Sequence, residues 1–121
     1  MARIEELNRI LRSLTSGTPD VEAAALISED GLVIASVLPQ DIEEVRVAGM
    51  SATLLSLGSR AANELGRGDL EQVLIKGSNG YTVMTSSGSG TPLLVLTTAA
   101  AKLGLIFLEM KRAAGDLRKA L

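Results

Sequence analysis

Two Asx-Gly pairs within apolar segments constrain the fold of this chain more than any other feature. Asp30-Gly31 lies between the apolar runs 21–28 and 32–37, and Asn79-Gly80 lies in the middle of the apolar segment 70–86. A tight β-hairpin turn needs positive φ angles, and Asp-Gly and Asn-Gly adopt them at little cost. The sequence therefore predicts two antiparallel hairpins, each built from two short strands.

Periodic apolar residues place the remaining elements. Apolar side chains recur at steps of three and four over 3–15, 41–65 and 102–121, and this spacing predicts three helices. The short apolar run 93–97 predicts a fifth strand, and a loose turn is expected at 87–90 because Ser and Gly alternate there.

The strands 21–28 and 93–97 carry apolar residues on both faces, which indicates interior strands covered on each side. The other strands then lie outside them. The sequence predicts a single α+β domain over residues 1–121. It is an α-β-β-α-β-β-β-α sandwich with a five-stranded antiparallel sheet in the order 2-1-5-4-3 and helices on both faces.

Composition excludes several classes of function. The chain has no Cys and no His, so thiolate or imidazole metal ligands, a cysteine nucleophile and a Ser-His-Asp triad are excluded. No Walker A motif is present, and a net charge of -2 argues against binding nucleic acid. We therefore expect no enzymatic activity, no cofactor and no metal. The most apolar stretch, 92–108, is interrupted by Lys102, so we expect a cytoplasmic protein without membrane insertion.

The helix predicted at 41–65 is the most informative element. Asp41 is expected to cap its start, with Glu44 completing a capping box. Between Arg46 and Arg60 lie thirteen residues without a charge. These two arginines are candidate contacts for an acidic partner, and the alternative is that they are solvated.

Two apolar stripes run along this helix. A helix in a two-layer domain buries one stripe against the sheet, so the other needs a second cover. The first stripe, expected to face the sheet, consists of Val47, Met50, Leu54, Leu57 and Ala61. The second, expected to face a partner, consists of Val45, Ala48, Ala52, Leu55, Ser59 and Ala62.

Another helix of the same chain, a membrane or a second copy of the chain could cover the second stripe. A second copy is favoured, because small residues allow two helices to approach closely in a symmetric dimer. Leu70, Gln72 and Leu74 of the edge strand would extend this interface, although charged residues at an edge also serve simply to prevent aggregation. Ala52→Arg is then expected to disrupt the dimer, and Leu54→Arg to destabilise the whole domain.

Three segments resemble the roadblock family (dynein light-chain roadblock type). Residues 25–36 resemble its first hairpin, 70–81 its third and fourth strands, and 103–110 the last helix of its bacterial and archaeal members. The resemblance implies a profilin-like or longin-like sandwich and a homodimer formed through the long helix and the third strand. It also implies binding to a Ras-like small GTPase, because bacterial relatives bind such proteins and one activates GTP hydrolysis.

The sequence thus predicts a homodimeric, non-catalytic regulator of the nucleotide cycle of a small GTPase. The family resemblance fixes no GTPase-contacting residues. Two other functions stay open: a structural adaptor without nucleotide preference, and a small-molecule sensor with a pocket between the sheet and the helices. The low aromatic content of 2% argues against the sensor, since ligand pockets are commonly lined by aromatic side chains.

Overall fold

The computed structural model describes residues 2–85 and 91–121, which form three helices and one sheet. The elements are α1 (Ala2–Gly17), β1 (Val21–Ile27), β2 (Val33–Val37), α2 (Glu44–Glu64), β3 (Gln72–Gly77), β4 (Gly80–Thr85), β5 (Leu93–Thr97) and α3 (Leu103–Ala120). This order confirms the predicted succession of elements. The turn predicted at 87–90 lies outside the described residues.

All neighbouring strands of the sheet are antiparallel, in the order β2-β1-β5-β4-β3, as predicted. β1 and β5 lie next to each other, with Ala25 opposite Leu94 and Leu26 opposite Leu93. These side chains are buried on both faces of the sheet, which explains why neither strand shows an alternation of apolar and polar residues.

The helices cover the two faces unequally. α1 and α3 pack side by side on one face, over a large core that includes Leu11, Leu26 and Met110. α2 alone covers the other face, over a smaller core that includes Ile27 and Met84. One helix cannot bury every apolar side chain that it carries, so part of the surface of α2 is left exposed and apolar.

The two hairpins differ in how they use glycine. The Ser28 N–H donates to the Leu32 carbonyl oxygen at 2.8 Å and the Gly31 N–H to the Ser28 carbonyl oxygen at 3.1 Å, so the predicted hairpin forms through a three-residue loop, Glu29-Asp30-Gly31, in which Gly31 has positive φ (78°) and Asp30 does not. In the second hairpin Gly77 pairs with Gly80, which leaves Ser78-Asn79 as the turn. Gly80 is thus the first residue of β4, one position outside the turn where the sequence had placed it.

The predicted capping box at the start of α2 is wrong. The helix begins at Glu44, and its N-cap residue Glu43 makes no side-chain capping hydrogen bond. The Glu44 carboxylate instead accepts a hydrogen bond from the Ser36 hydroxyl of β2 at 2.6 Å. This tertiary contact replaces the local cap and ties the first turn of α2 to the edge of the sheet.

Asp20 joins the loop before β1 to the loop after β5, and we expect Asp20→Ala to lower the free energy of unfolding by about 1–2 kcal/mol. Asp20 has a φ of 70°, and its carboxylate accepts from the Thr98 hydroxyl at 2.9 Å. Ala at this position loses the acceptor and tolerates positive φ poorly. Asp20→Gly loses only the acceptor, so urea denaturation should place it between Ala and the wild type. A larger loss with Gly than with Ala would contradict this account.

Candidate protein-binding site on helix α2 and the sheet edge

Helix α2 turns a narrow strip of side chains toward the sheet. Val47, Ala48 and Ser51 are its buried residues. On its outer side Met50 and Leu57 are 55% and 60% exposed. Large apolar side chains at this level of exposure, on a helix with no charge for thirteen residues, are typical of a surface that binds another protein.

The predicted assignment of the stripes is wrong for Ala48, which is buried, and for Met50, Leu57 and Ala61, which are exposed, whereas the rest of the predicted interface stays a prediction. Ala48, placed in the partner-facing stripe, is 1% exposed and belongs to the core beneath the helix. Four others of that stripe are half-buried: Ala52, Leu55, Ser59 and Ala62. Val45 alone is fully on the surface, at 86% exposure. Successive helical residues are 100° apart, so the two stripes lie on opposite flanks of α2, and the sheet contacts the strip between them.

Three residues of the first stripe, which was predicted to face the sheet, are exposed on the outside of α2. Met50, Leu57 and Ala61 are exposed, whereas Val47 and Leu54 contact the core. On the same side of the sheet, Ile75 of β3 is 40% exposed. We refer to Met50, Leu57 and Ile75 as the apolar face.

The strand-edge residues of the predicted interface do not share one surface. Leu70 precedes β3 and is half-buried under α2. A Cβ added at Gly58 of that helix would lie 3.2 Å from the Cδ2 atom of Leu70. Gln72 and Leu74 are exposed. Leu74 is opposite Val83, which belongs to the core under α1 and α3, so its side chain points away from α2. The outer edge of β3 is unpaired within the described chain and is available to a further strand.

Arg46 and Arg60 flank the uncharged stretch on the outside of α2. They are fourteen residues apart, close to four helical turns, so they lie on the same side of the helix. Arg60 lies 3.8 Å from Glu64, and both side chains are more than 70% exposed. Such an exposed pair contributes at most about 1 kcal/mol, so Arg60 can exchange its partner easily.

A cleft of about 320 Å³ opens beside α2, between the turn that joins β1 to β2 and the segment that precedes β3. Leu55, Leu70 and Pro92 belong to the apolar half of its lining, and the exposed residue Glu29 belongs to the polar half. The turn is held close to the helix, since a Cβ added at Gly31 would lie 3.4 Å from the Ala52 Cβ. Four of the nine predicted interface residues line this cleft: Ala52, Leu55, Ser59 and Leu70.

The chemistry of this surface is that of binding. Among residues 2–85 and 91–121, no group of three or more acidic side chains is arranged to hold a metal ion. The pKa of the Glu6 carboxyl is lowered by a hydrogen bond from Arg9, but this pair lies on α1, on the opposite face of the sheet. No helix in the described part of the chain is long and apolar enough to cross a membrane.

The sequence prediction missed Met50, Leu57 and Ile75 as surface residues, and it missed the cleft. The uncharged stretch between Arg46 and Arg60 did signal that α2 carries a surface of this kind. No pattern in the sequence indicates the cleft, because its lining residues come from four separate segments of the chain.

Comparison with known proteins identifies relatives over nearly the whole chain. The sequence profile of the Roadblock/LC7 domain matches residues 7–97. Two uncharacterised proteins of Methanocaldococcus jannaschii are each 39% identical over 112 residues, which is 93% of this chain and 96% of each relative.

Solved structures share the fold. A Roadblock/LC7 domain from Streptomyces avermitilis superposes with a TM-score of 0.87 at 29% identity, over 94% of this chain and 96% of that one. MglB of Myxococcus xanthus superposes with a TM-score of 0.88 at 24% identity, over 96% and 87% of the two chains. At 24% identity, the second similarity shows the fold alone.

Proposed function

Since the chain belongs to the Roadblock/LC7 family, whose members are in general non-catalytic regulatory and adaptor domains, we propose that it acts as a homodimer. The dimer binds a Ras-like small GTPase and modulates its nucleotide cycle. The observation that carries this proposal is the exposed apolar face beside the unpaired edge of β3.

A second copy of the chain suits this face better than a membrane or another helix of the same chain. Both other helices already pack on the opposite side of the sheet. In a symmetric dimer the same patch is used by both copies, so Met50 and Leu57 of each protomer would meet the equivalent helix of the other. The unpaired edges of β3 could then meet across the same axis and continue the sheet.

The GTPase part of the proposal rests on the family resemblance rather than on a catalytic group. Arg46 and Arg60 lie on the outer side of α2 and are proposed to contact an acidic surface of the partner. A regulator that lacks its own catalytic residues acts by binding one nucleotide state more tightly than the other. Linkage requires that it then changes the ratio of the GTP and GDP affinities of the GTPase by the same factor.

Binding to purified small GTPases of the source organism tests this function. Each GTPase is loaded with GDP or with a non-hydrolysable GTP analogue and titrated with the protein, and the dissociation constants are measured. We expect one GTPase to be bound about tenfold or more tightly in the GTP-analogue form, within the usual range of allosteric coupling. Equal affinity for both forms would favour the adaptor function. Binding of neither form, by any small GTPase tested, would contradict the proposal.

A further inference from the structure

The cleft beside α2 is lined by apolar walls and carries negative charge at its rim. Leu55, Leu70 and buried Pro92 form the walls, and Ser56 and Ser59 add hydroxyl groups on the helix side. Its volume of about 320 Å³ is near the lower end of pockets that hold small ligands. The cleft is open to solvent along one side, so it suits one long side chain of a docked protein.

Glu29 is the charged residue among those that line the cleft. Across the described chain, no hydrogen bond or ion pair engages its carboxylate. Three further exposed carboxylates are next to lining residues in the sequence: Asp30 follows Glu29, and Asp69 and Glu71 flank Leu70. The nearest cation in sequence to this second group is Arg67. Glu29 therefore gives the lining of the cleft an unpaired negative charge, and a cation would be attracted to it.

A lysine or arginine side chain matches both properties of the cleft. Its aliphatic stem can pack against apolar walls while its charged head stays at the wet rim, where a carboxylate and hydroxyl oxygens accept hydrogen bonds. An acidic side chain would be repelled by Glu29, and a purely apolar one would leave the rim groups without a partner.

The position of the cleft indicates which protein supplies this side chain. Ala52 and Ser59 line the cleft on one flank of α2, whereas Met50 and Leu57 of the apolar face lie on the opposite flank. A homodimer formed through the apolar face therefore leaves the cleft open. We propose that the cleft receives a lysine or arginine side chain from a different protein bound to the dimer, an inference that rests on the proposed function.

Titration with N-acetyl-L-arginine methylamide, followed by the backbone amide signals of the uniformly ¹⁵N-labelled protein, tests the cleft without any GTPase. We expect saturable shifts of the signals of Ser28, Glu29, Ser56 and Ser59. Glu29→Gln should weaken this binding about two- to five-fold, as for other exposed ion pairs. The matched control Glu22→Gln, which changes an exposed acid elsewhere on β1, should leave it unchanged.

The uncharged analogue N-acetyl-norleucine methylamide decides whether charge matters. If it shifts the same signals as strongly as the arginine compound, or if the arginine compound shifts none of them, the proposal is overturned. The same follows if Glu29→Gln and Glu22→Gln behave alike. Specific binding of the arginine compound, together with no binding of any small GTPase, would support the cleft and contradict only the proposed function.

Discussion

Gly80→Ala is expected to lower the free energy of unfolding by about 3–5 kcal/mol, because among the described glycines its added Cβ makes the shortest contact. A Cβ at position 80 would overlap the carbonyl oxygen of Thr97, which is a backbone atom of the neighbouring strand and cannot move aside without shifting that strand. The φ of Gly80 is also 153°, in a region that residues with a side chain rarely adopt. Relief of the clash requires β4 and β5 to separate at this end.

Gly77→Ala is the matched control in the same hairpin. Gly77 pairs with Gly80 across the turn, and its added Cβ would meet the Gly80 carbonyl oxygen at 3.4 Å, close to ordinary contact. We expect Gly77→Ala to change the free energy of unfolding by less than about 1 kcal/mol. Urea denaturation followed by circular dichroism measures both variants. Equal stability of Gly80→Ala and Gly77→Ala would contradict the close approach of β4 to Thr97.

The sequence predicts the fold well because its strongest signals are local and mutually consistent. Asp30-Gly31 between two apolar runs favours a short hairpin loop, and the apolar residues on both faces of β1 and β5 indicate that those strands lie in the middle of the sheet. Where a tertiary contact competes with a local preference, the prediction fails. The carboxylate of Glu44 bonds Ser36 of β2 instead of completing a cap, and no pattern within the helix itself reveals that partner.

The candidate site is less predictable for a related reason. Both stripes of α2 are apolar, the first mainly through large side chains and the second mainly through small ones, so hydropathy alone does not fix the rotation of the helix about its axis. The small side chains of Ala48 and Ser51 decide it, because they allow α2 to approach the sheet closely. The larger residues Met50 and Leu57 are then left outside. A stripe of small residues therefore marks close packing without showing whether the neighbour is a sheet or a second protein.

The position of the homodimer interface gives the second large effect, and Leu57→Arg is expected to abolish the dimer. Leu57 is 60% exposed in the protomer, so its replacement should change the free energy of unfolding of the isolated protomer by less than about 1 kcal/mol. In a symmetric interface the new charge is buried twice and without a partner, and we expect the dissociation constant to rise at least about 100-fold. Sedimentation equilibrium at micromolar concentration should give the wild type twice the chain mass of 12.6 kDa, and the variant a single chain mass.

Two further arginine variants identify the face involved. Leu108→Arg makes the same change at a residue of α3 that is 52% exposed on the opposite side of the sheet, so this variant should remain a dimer. Leu54→Arg places a charge at a half-buried position against the core and should lower the stability of the protomer itself, as the sequence already predicted. Ala52→Arg no longer tests the dimer, because Ala52 lies against the β1–β2 turn at the cleft. A wild type with a single chain mass, or dissociation caused by Leu108→Arg and not by Leu57→Arg, would exclude the apolar face as the interface.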